Sequence, residues 1–339
     1  MSIWNTFFLI LLTSFISCNS QESERLSKIN GVSFVASREV IDSTHIQPVV
    51  NVHANWVAIM PFAFMQSPDT TDLVFNLERQ WWGEREEGAR ETIELFHQQG
   101  IKVMVKPQIW IRRGEFTGHI TMNSEAEWQL FEENYKAFIL LYAKLAEETG
   151  AEMFCIGTEL NSFVSARPEF WKQMINEIKT VYKGKLTYAE NWDAKQRVPF
   201  WDQLDYIGID AYYPVSESKT PTIEEARKGW QIHKTEITNL QTKYKRPVLF
   251  TEYGYRSRDF AGKSPWDANR VEGEINHSAQ ENLTQALFEE FWNEPWFAGG
   301  FHWKWFHNHD QVGGMENNQF TVQNKPAEAV LKKYYSSSN

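Results

Sequence analysis

Two glutamates, each at the end of an apolar segment, are the residues of this chain best placed to do chemistry. Glu159 ends the run Met153-Phe-Cys-Ile-Gly-Thr-Glu159, and Glu252 ends Pro247-Val-Leu-Phe-Thr-Glu252. A carboxylate at the end of an apolar strand costs free energy unless water or a partner group solvates it there. Two facing carboxyl groups can cleave a glycosidic bond, because one protonates the leaving oxygen while the other attacks the sugar or activates water. The pattern therefore predicts a catalytic pair.

The elements that must position this pair alternate along the chain from residue 31 onward. Apolar segments alternate with helical patterns, which is the signature of parallel β–α units, and most segments are apolar enough to be covered on both faces. The predicted strands are Gly31–Val35, Asn55–Pro61, Ile101–Pro107, Glu152–Glu159, Leu186–Asn191, Asp205–Tyr212, Pro247–Glu252 and Gly299–Trp305. Eight such units predict the α/β class and a (β/α)8 TIM barrel, with its site at the strand C-termini. The competing fold, a doubly wound sheet, is disfavoured because no glycine-rich phosphate turn follows the first strand.

Helix boundaries and composition indicate one domain. Gly150 predicts a helix end, a short helix is expected after the fifth strand, and three capping boxes predict helix starts at Ser124–Glu127, Thr222–Glu225 and Ser278–Glu281. No linker rich in Pro, Gly or Ser interrupts residues 31–335. We therefore expect residues 30–339 to form a single catalytic domain.

The two glutamates must have different roles. In a barrel, carboxylates on strands four and seven project toward each other across the mouth, and their neighbours must impose different pKa values. We expect Glu159 to be the acid/base and Glu252 the nucleophile, with retention of configuration if the carboxyl groups are about 5–5.5 Å apart. Either glutamate taken alone could be a solvated strand-end residue or half of a salt bridge.

Two further carboxyl groups compete with this pair. Glu190 ends the fifth strand and could bind sugar hydroxyls or raise the pKa of the acid. Asp210 lies in the sixth strand, where we expect it to orient a partner group rather than react directly. The segment from His302 to Asp310 carries three histidines, but its spacing matches no closed zinc pattern, so no metal site is expected.

Aromatic residues are the second signal. They make up 15% of the chain, including 15 Trp, which is more than core packing usually demands. Sugar rings pack their C–H faces on aromatic rings, and the predicted strand ends carry Trp81, Trp82, Trp110, Trp192, Tyr212, Tyr213, Trp303 and Trp305. Any one of them could be a core residue, but their concentration on one rim favours substrate binding. Lys106 and Asn191, also near strand ends, complete the predicted substrate-binding set.

The charge and the residue content exclude some classes of ligand and cofactor. The net charge is −10 and the acidic residues are spread along the chain, which argues against nucleic acid. No cofactor is expected, because two carboxyl groups and water suffice for glycosidic hydrolysis. Of the two cysteines, Cys155 lies inside an apolar strand and is expected to be an inert core residue.

The first 17 residues predict an export signal. Ile3–Ser17 is apolar but short for a membrane span, and it ends Phe15-Ile-Ser-Cys18 before the chain turns polar. This resembles a bacterial lipoprotein signal, in which the cysteine, here Cys18, is lipidated; the alternative is an ordinary cleaved signal with an incidental cysteine. The lipoprotein interpretation predicts a flexible tether over residues 18–29 and a protein anchored to a bacterial membrane, in the periplasm or at the cell surface.

The chain resembles glycoside hydrolase family 113, the retaining β-mannanases of the (β/α)8 clan A, over roughly residues 31 to 307. The motifs that carry the resemblance are Asn55-Trp-Val-Ala-Ile-Met-Pro-Phe62, Trp82-Gly-Glu-Arg85, Val105-Lys-Pro-Gln-Ile-Trp110, Ile156-Gly-Thr-Glu-Leu160, Asp205-Tyr-Ile-Gly-Ile-Asp-Ala-Tyr-Tyr-Pro214 and Phe250-Thr-Glu-Tyr-Gly254. The resemblance implies the same roles for Glu159 and Glu252. It also implies that Tyr212 or Tyr213 donates a hydrogen bond to the nucleophile, and that Trp303 or Trp305 lies beneath the attacked sugar.

The chain departs from the pattern at two positions. Most of clan A has Asn before the acid/base, where it holds the sugar 2-hydroxyl; Thr158 stands there, so Asn161 or Asn191 would have to serve. Gln108 stands where many relatives have His. The sequence thus predicts a lipid-anchored retaining hydrolase of β-1,4-mannan or manno-oligosaccharides. The alternatives are another clan A β-glycanase or exo-mannosidase, or a non-catalytic glycan-binding lipoprotein, which would have no need to keep both glutamates.

Overall fold

A closed barrel of eight parallel strands forms the centre of this computed structural model, which describes residues 27–267 and 273–337. The strands are β1 Ile29–Phe34, β2 Trp56–Ile59, β3 Lys102–Val105, β4 Met153–Thr158, β5 Lys185–Asn191, β6 Ile207–Asp210, β7 Val248–Tyr253 and β8 Phe297–Trp305. They follow one another around the barrel in chain order, and β8 pairs with β1 to close it. The predicted (β/α)8 barrel is confirmed. The predicted export signal, Cys18 and most of the tether lie outside the described residues.

Helices surround the barrel. They are α1 Ser43–Asn51, α2 Glu86–Gln98, α3 Glu125–Thr149, α4 Asn161–Ala166, α5 Pro168–Val181, α6 Ile223–Tyr244, α7 His277–Phe291 and α8 Pro326–Ser337. Ser124 and Thr222 cap α3 and α6 as predicted, and Gly150 ends α3 in the left-handed region at φ 72°. Only the single 3-10 turns Lys195–Arg197 and Trp201–Gln203 separate β5 from β6.

The predicted start of α7 at Ser278 is wrong. Asn276 is the N-cap, and its Oδ1 accepts a hydrogen bond of 3.0 Å from the backbone N–H of Ala279. Asparagine caps helices as well as serine does. Since the Asn276 side chain satisfies one of the free N–H groups at the start of the helix, Ser278 falls inside the first turn. The helix itself and its buried face, which includes Leu283 and Leu287, are as predicted.

A small sheet stands on one side of the barrel mouth. Phe62–Met65 and Gln108–Ile111 pair in parallel, and Val74–Phe75 adds an antiparallel edge. Within Gln108–Ile111 the side chains alternate: Ile109 and Ile111 are buried, whereas Gln108 and Trp110 lie on the other face. The sequence pattern did not indicate this sheet, because its two parallel strands directly continue β2 and β3 after Pro61 and Pro107.

Alternation along the strands decides which side chains enter the barrel. Met104 and Cys155 belong to the cluster that fills the interior, together with Trp56, Leu249 and Phe301. Successive residues of a strand point to opposite faces. Lys106, two residues after Met104, therefore continues the inward face of β3. Within the described part of the chain, no helix has both the length and the apolar character needed to cross a bilayer.

Candidate active site

Glu159 directly follows β4, where the backbone turns sharply toward α4. Its φ of 53° lies in the left-handed region, which costs a residue other than glycine about 1–2 kcal/mol. Hydrogen bonds hold this turn on both sides: the Glu159 N–H donates to the carbonyl of Ala189 at 2.8 Å, and the Thr117 hydroxyl donates to the Glu159 carbonyl at 3.2 Å. Contacts with Ala189 of β5 and with Thr117 thus fix the backbone from which the Glu159 carboxyl projects.

The surroundings of Glu159 favour its protonated form. Burial raises the pKa of this carboxyl well above its usual range, and the negative charges of Asp210 and Glu252 raise it further, while Lys106 opposes them. Within the described part of the chain, no cation pairs with Glu159 and no donor bonds to its carboxyl. A carboxylic acid that keeps its proton at neutral pH can act as a general acid.

Glu252, in β7, differs from Glu159 because several hydrogen-bond donors contact its carboxyl. Its Oε1 accepts hydrogen bonds from Lys106 Nζ at 2.5 Å and from Gln108 Nε2 at 3.1 Å. Its Oε2 accepts one from the Tyr212 hydroxyl at 2.7 Å. Burial and the charge of Glu252 raise the pKa of Tyr212 well above its usual value, so Tyr212 remains a phenol that donates. Three donors orient this carboxyl and stabilise its ionised form, as a nucleophile requires.

Lys106 and Asp210 lie below the mouth of the barrel. Lys106 was predicted to bind substrate, but its side chain is fully buried and forms ion pairs with Glu252 and, at 3.3 Å, with Asp210. Burial alone would lower the pKa of Lys106, but the charges of Asp210 and Glu252 outweigh it and raise the pKa above its usual value. Burial and the charge of Glu252 raise the pKa of Asp210, whose Oδ1 also accepts a hydrogen bond from Thr251 at 2.7 Å.

Glu190 faces away from the barrel interior. It shares a strand face with Tyr188, whose hydroxyl lies 3.4 Å from its Oε2, and its Oε1 accepts the backbone N–H of Asn191 at 2.8 Å. Burial raises the pKa of Glu190 to about 8. Of the two roles expected for Glu190, this placement favours an electrostatic effect on Glu159 over contact with sugar hydroxyls.

The predicted rim aromatics divide into exposed and buried groups. Trp110 is 51% exposed on the small sheet, and Trp303 is partly exposed on the same strand face as the interior residue Phe301. Tyr213 and Trp305, by contrast, are completely buried. Tyr212 is the tyrosine whose hydroxyl bonds to Glu252. Trp303, which is partly exposed, is the strand-eight tryptophan open to the mouth.

Trp192 and a residue that the sequence analysis missed form a stacked pair. The ring centroids of Trp192 and Trp266 lie 5.3 Å apart at an interplanar angle of 26°. The Tyr213 ring also packs against Trp192, with the centroids 5.4 Å apart. Trp266 is 46% exposed and stands in the loop after β7. It was missed because no strand end marks its position. Its residue type was the one signal that the sequence offered.

Two buried polar atoms near Glu159 have no hydrogen-bond partner among the residues described. They are Asn161 Oδ1 and Asn191 Oδ1. Asn191 lies beside Asp210 in the register of β5 and β6, on the inward face. A buried polar atom left unpaired costs about 1–3 kcal/mol, so these atoms are suited to bonds with substrate hydroxyls or water. Across the described ranges, no group of three or more His, Cys, Asp or Glu side chains is arranged to hold a metal ion.

Comparison with known proteins agrees with this geometry. The model of Glycoside Hydrolase Family 113 matches residues 38–325. The GH113 β-mannanase AaManA from Alicyclobacillus acidocaldarius, solved with ManMIm, has a TM-score of 0.80 at 26% identity, over 93% of this chain and 99% of that one. A GH113 β-1,4-mannanase solved as a complex has the same TM-score at 25% identity, over 92% and 100%. This chain therefore belongs to Glycoside Hydrolase Family 113 and is a glycoside hydrolase.

More distant structures share the fold alone. A Faecalibacterium prausnitzii β-glucuronidase has a TM-score of 0.61 at 15% identity, over 91% of this chain and 49% of that one. No curated protein matches the chain in sequence.

Proposed function

We propose that this family member is a retaining β-mannanase that cleaves β-1,4-mannosidic bonds in mannan or manno-oligosaccharides. In this proposal Glu159 is the acid/base and Glu252 the nucleophile of a double displacement. One observation carries the assignment of roles: no donor bonds to the Glu159 carboxyl within the described part of the chain, whereas Lys106, Gln108 and Tyr212 hold Glu252. Two carboxyl groups whose surroundings differ in this way are the pattern of a general acid beside a nucleophile. The solved β-mannanases support the choice of sugar.

The proposed reaction has two steps. In the first, a Glu252 oxygen bonds to the anomeric carbon, the glycosidic bond breaks, and Glu159 gives its proton to the leaving oxygen. In the second, Glu159, now ionised, takes a proton from water, which displaces Glu252 from the sugar. Trp303 at the mouth is suited to pack against the attacked sugar, and Asn161 or Asn191 to bind its 2-hydroxyl.

Product analysis tests this function. The purified protein is incubated with β-1,4-mannan and with mannohexaose, and the first products are followed by proton NMR. Short manno-oligosaccharides of β configuration are expected, and their sizes distinguish endo from exo cleavage. Products of α configuration would contradict the double displacement. Binding of mannohexaose without cleavage would favour a glycan-binding protein, and neither binding nor cleavage would point to another β-glycan.

We also infer that the protein is exported and lipid-anchored at Cys18. The support is the run Phe15-Ile-Ser-Cys18 followed by a polar segment. Expression in a bacterial host, followed by mass spectrometry of the mature N-terminus, should show a diacylglyceryl modification on Cys18 and protein in the membrane fraction. Cys18→Ala should remove both. Cleavage elsewhere, without lipid, would support the ordinary signal instead.

A further inference from the structure

A lysine that no sugar can reach connects the proposed nucleophile to a second acid. Lys106 has no solvent-exposed surface, and its Nζ lies 2.5 Å from Glu252 Oε1 and 3.3 Å from Asp210 Oδ1. These three side chains come from β7, β6 and the end of β3, and they meet above Cys155 in the barrel interior. Lys106 can therefore affect the substrate only through Glu252 and Asp210.

The two acids around Lys106 are held unequally. Glu252 accepts hydrogen bonds from Gln108 and Tyr212 in addition to Lys106. Asp210 accepts bonds on Oδ1 alone, while its buried Oδ2 has no partner within the described residues. Asp210 thus retains a free accepting oxygen at a place that solvent does not reach.

The reaction changes the charge on only one of these acids. When Glu252 bonds to the anomeric carbon, it becomes a neutral ester and a weaker acceptor. Glu159 becomes ionised in the same step, but its carboxyl forms no hydrogen bond or ion pair with Lys106, whose partners among the described residues are Glu252 and Asp210. A buried ammonium without an anion is costly. Asp210 is then the carboxylate that remains within bonding distance of Lys106.

We propose that Lys106 is a positioning residue that keeps Glu252 ionised and oriented in the free enzyme and turns to Asp210 while Glu252 is bonded to the sugar. The exchange of partners rests on the double displacement of the proposed function. The part that concerns the free enzyme does not, because Lys106 contacts Glu252 without any substrate.

The first test measures the charge of Glu252 without turnover. Protein labelled with ¹³C at the glutamate carboxyl is titrated by NMR, and the Glu252 signal is identified by its loss in Glu252→Gln. In Lys106→Met this signal should take up its proton about one or more pH units higher, because an opposite charge nearby favours an ionised carboxyl by 1–3 units. Lys106→Arg, which keeps the charge, should restore the titration to within about half a unit.

Four other titratable groups face Lys106 and Glu252: Glu159, Tyr212, Cys155 and Asp210. Because each of them can affect the titration of Glu252, the experiment needs control variants. Asp210→Asn removes a negative charge and should move the Glu252 signal in the opposite direction to Lys106→Met. Lys325→Met removes another buried lysine, one held by Ser257 and Asn317, and should leave the signal in place. An unmoved signal in Lys106→Met would overturn the proposal.

The second test concerns the exchange of partners. With dinitrophenyl β-mannobioside, whose leaving group needs little acid assistance, the first step is seen as a burst of phenolate and the second as the steady rate. Asp210→Asn deprives Lys106 of its second partner, so the first step should slow at least about tenfold. The second step should not slow, because it returns Glu252 to Lys106. Equal slowing of both steps, or of neither, would contradict the exchange.

The two tests distinguish this inference from the proposed function. If the wild-type protein turns over no mannoside, the proposed function fails and the exchange of partners fails with it. The NMR titration would still decide whether Lys106 holds Glu252 ionised. If turnover is normal and Lys106→Met leaves both the titration and the rate unchanged, the proposed function stands and the role of Lys106 is wrong.

Discussion

The end of β4 and the end of β7 carry the same residue type in different surroundings. At the end of β4, burial and negative charges act on Glu159, and no cation or donor among the described residues bonds to its carboxyl. At the end of β7, Lys106, Gln108 and Tyr212 together supply three donors to Glu252. One glutamate is thereby suited to hold a proton and the other to lack one. The contrast shows that the role of a strand-end carboxyl depends on its neighbours and not on its own position.

Removing the carboxyl of the proposed nucleophile should have the largest effect. Glu252→Gln should lower kcat on mannohexaose at least about 10⁴-fold with little change in melting temperature, because the nucleophile is lost and the side-chain shape is kept. In Glu252→Ala, whose shortened side chain leaves room for an anion, added azide should restore turnover and form an α-mannosyl azide. Glu177→Gln, a change in an exposed ion pair with Lys136, should leave kcat unaltered. Normal kcat in Glu252→Gln would refute the assignment.

Removing the carboxyl of the proposed acid/base should have an effect that depends on the leaving group. Glu159→Ala should lower kcat/KM on mannohexaose by about 10²–10⁴-fold, since a sugar alkoxide leaves poorly without a proton. The first step on dinitrophenyl β-mannobioside should slow by less than about tenfold, because that leaving group needs little assistance. Stopped-flow measurement of phenolate release checks this. Equal losses on both substrates would indicate that Glu159 is not the general acid.

Removing one donor from Glu252 should have a smaller effect. Tyr212→Phe deletes the hydroxyl that lies 2.7 Å from Glu252 Oε2, and a hydrogen bond to a charged group contributes about 1.5–3 kcal/mol. We expect kcat to fall about 10–100-fold with little change in KM. Tyr213→Phe is the matched control, because Tyr213 is buried beside Trp192 and Trp230 instead of Glu252. A similar loss of kcat in both variants would show that the contact with Glu252 is not the cause.

The smallest effect on activity is expected from a change at Glu190. Where Glu190 is ionised, its charge adds to the raised pKa of Glu159, so Glu190→Gln should move the basic limb of the kcat/KM profile to lower pH by less than about one unit. An unmoved basic limb would remove Glu190 from the electrostatics of Glu159.

Glu190→Gln should also change how stability depends on pH. The pKa of Glu190 is raised from 4.5 to about 8 in the folded protein, so the folded state holds this proton over a range where the unfolded chain has released it. Stability contributed by this group is therefore complete below about pH 4.5 and is lost as pH rises toward 8. Between about pH 4.5 and pH 8, the melting temperature of Glu190→Gln should fall less than that of the wild type. Parallel losses in the two proteins would contradict the raised pKa.

Part of this site could be predicted from local patterns. The strand ends that carry Glu159 and Glu252 were recognised because apolar runs and helix caps are local signals. Inward placement of Lys106 could also have been found, since it follows Met104 by two residues and strand side chains alternate with that period. The stacked partner Trp266 could not, because a loop position carries no such period.

The sequence by itself determined the eight strands, their order and the two glutamates at their ends, because strand periodicity and turn chemistry act over a few residues. The tertiary structure alone decided which hydrogen-bond donors surround each glutamate. Lys106 lies 146 residues from Glu252 along the chain, and Gln108 lies 144 residues away. Barrel closure brings these donors to one carboxyl and brings none to Glu159 within the described part of the chain. Protonation depends on distance and exclusion of water, and these quantities exist only once distant strands have met.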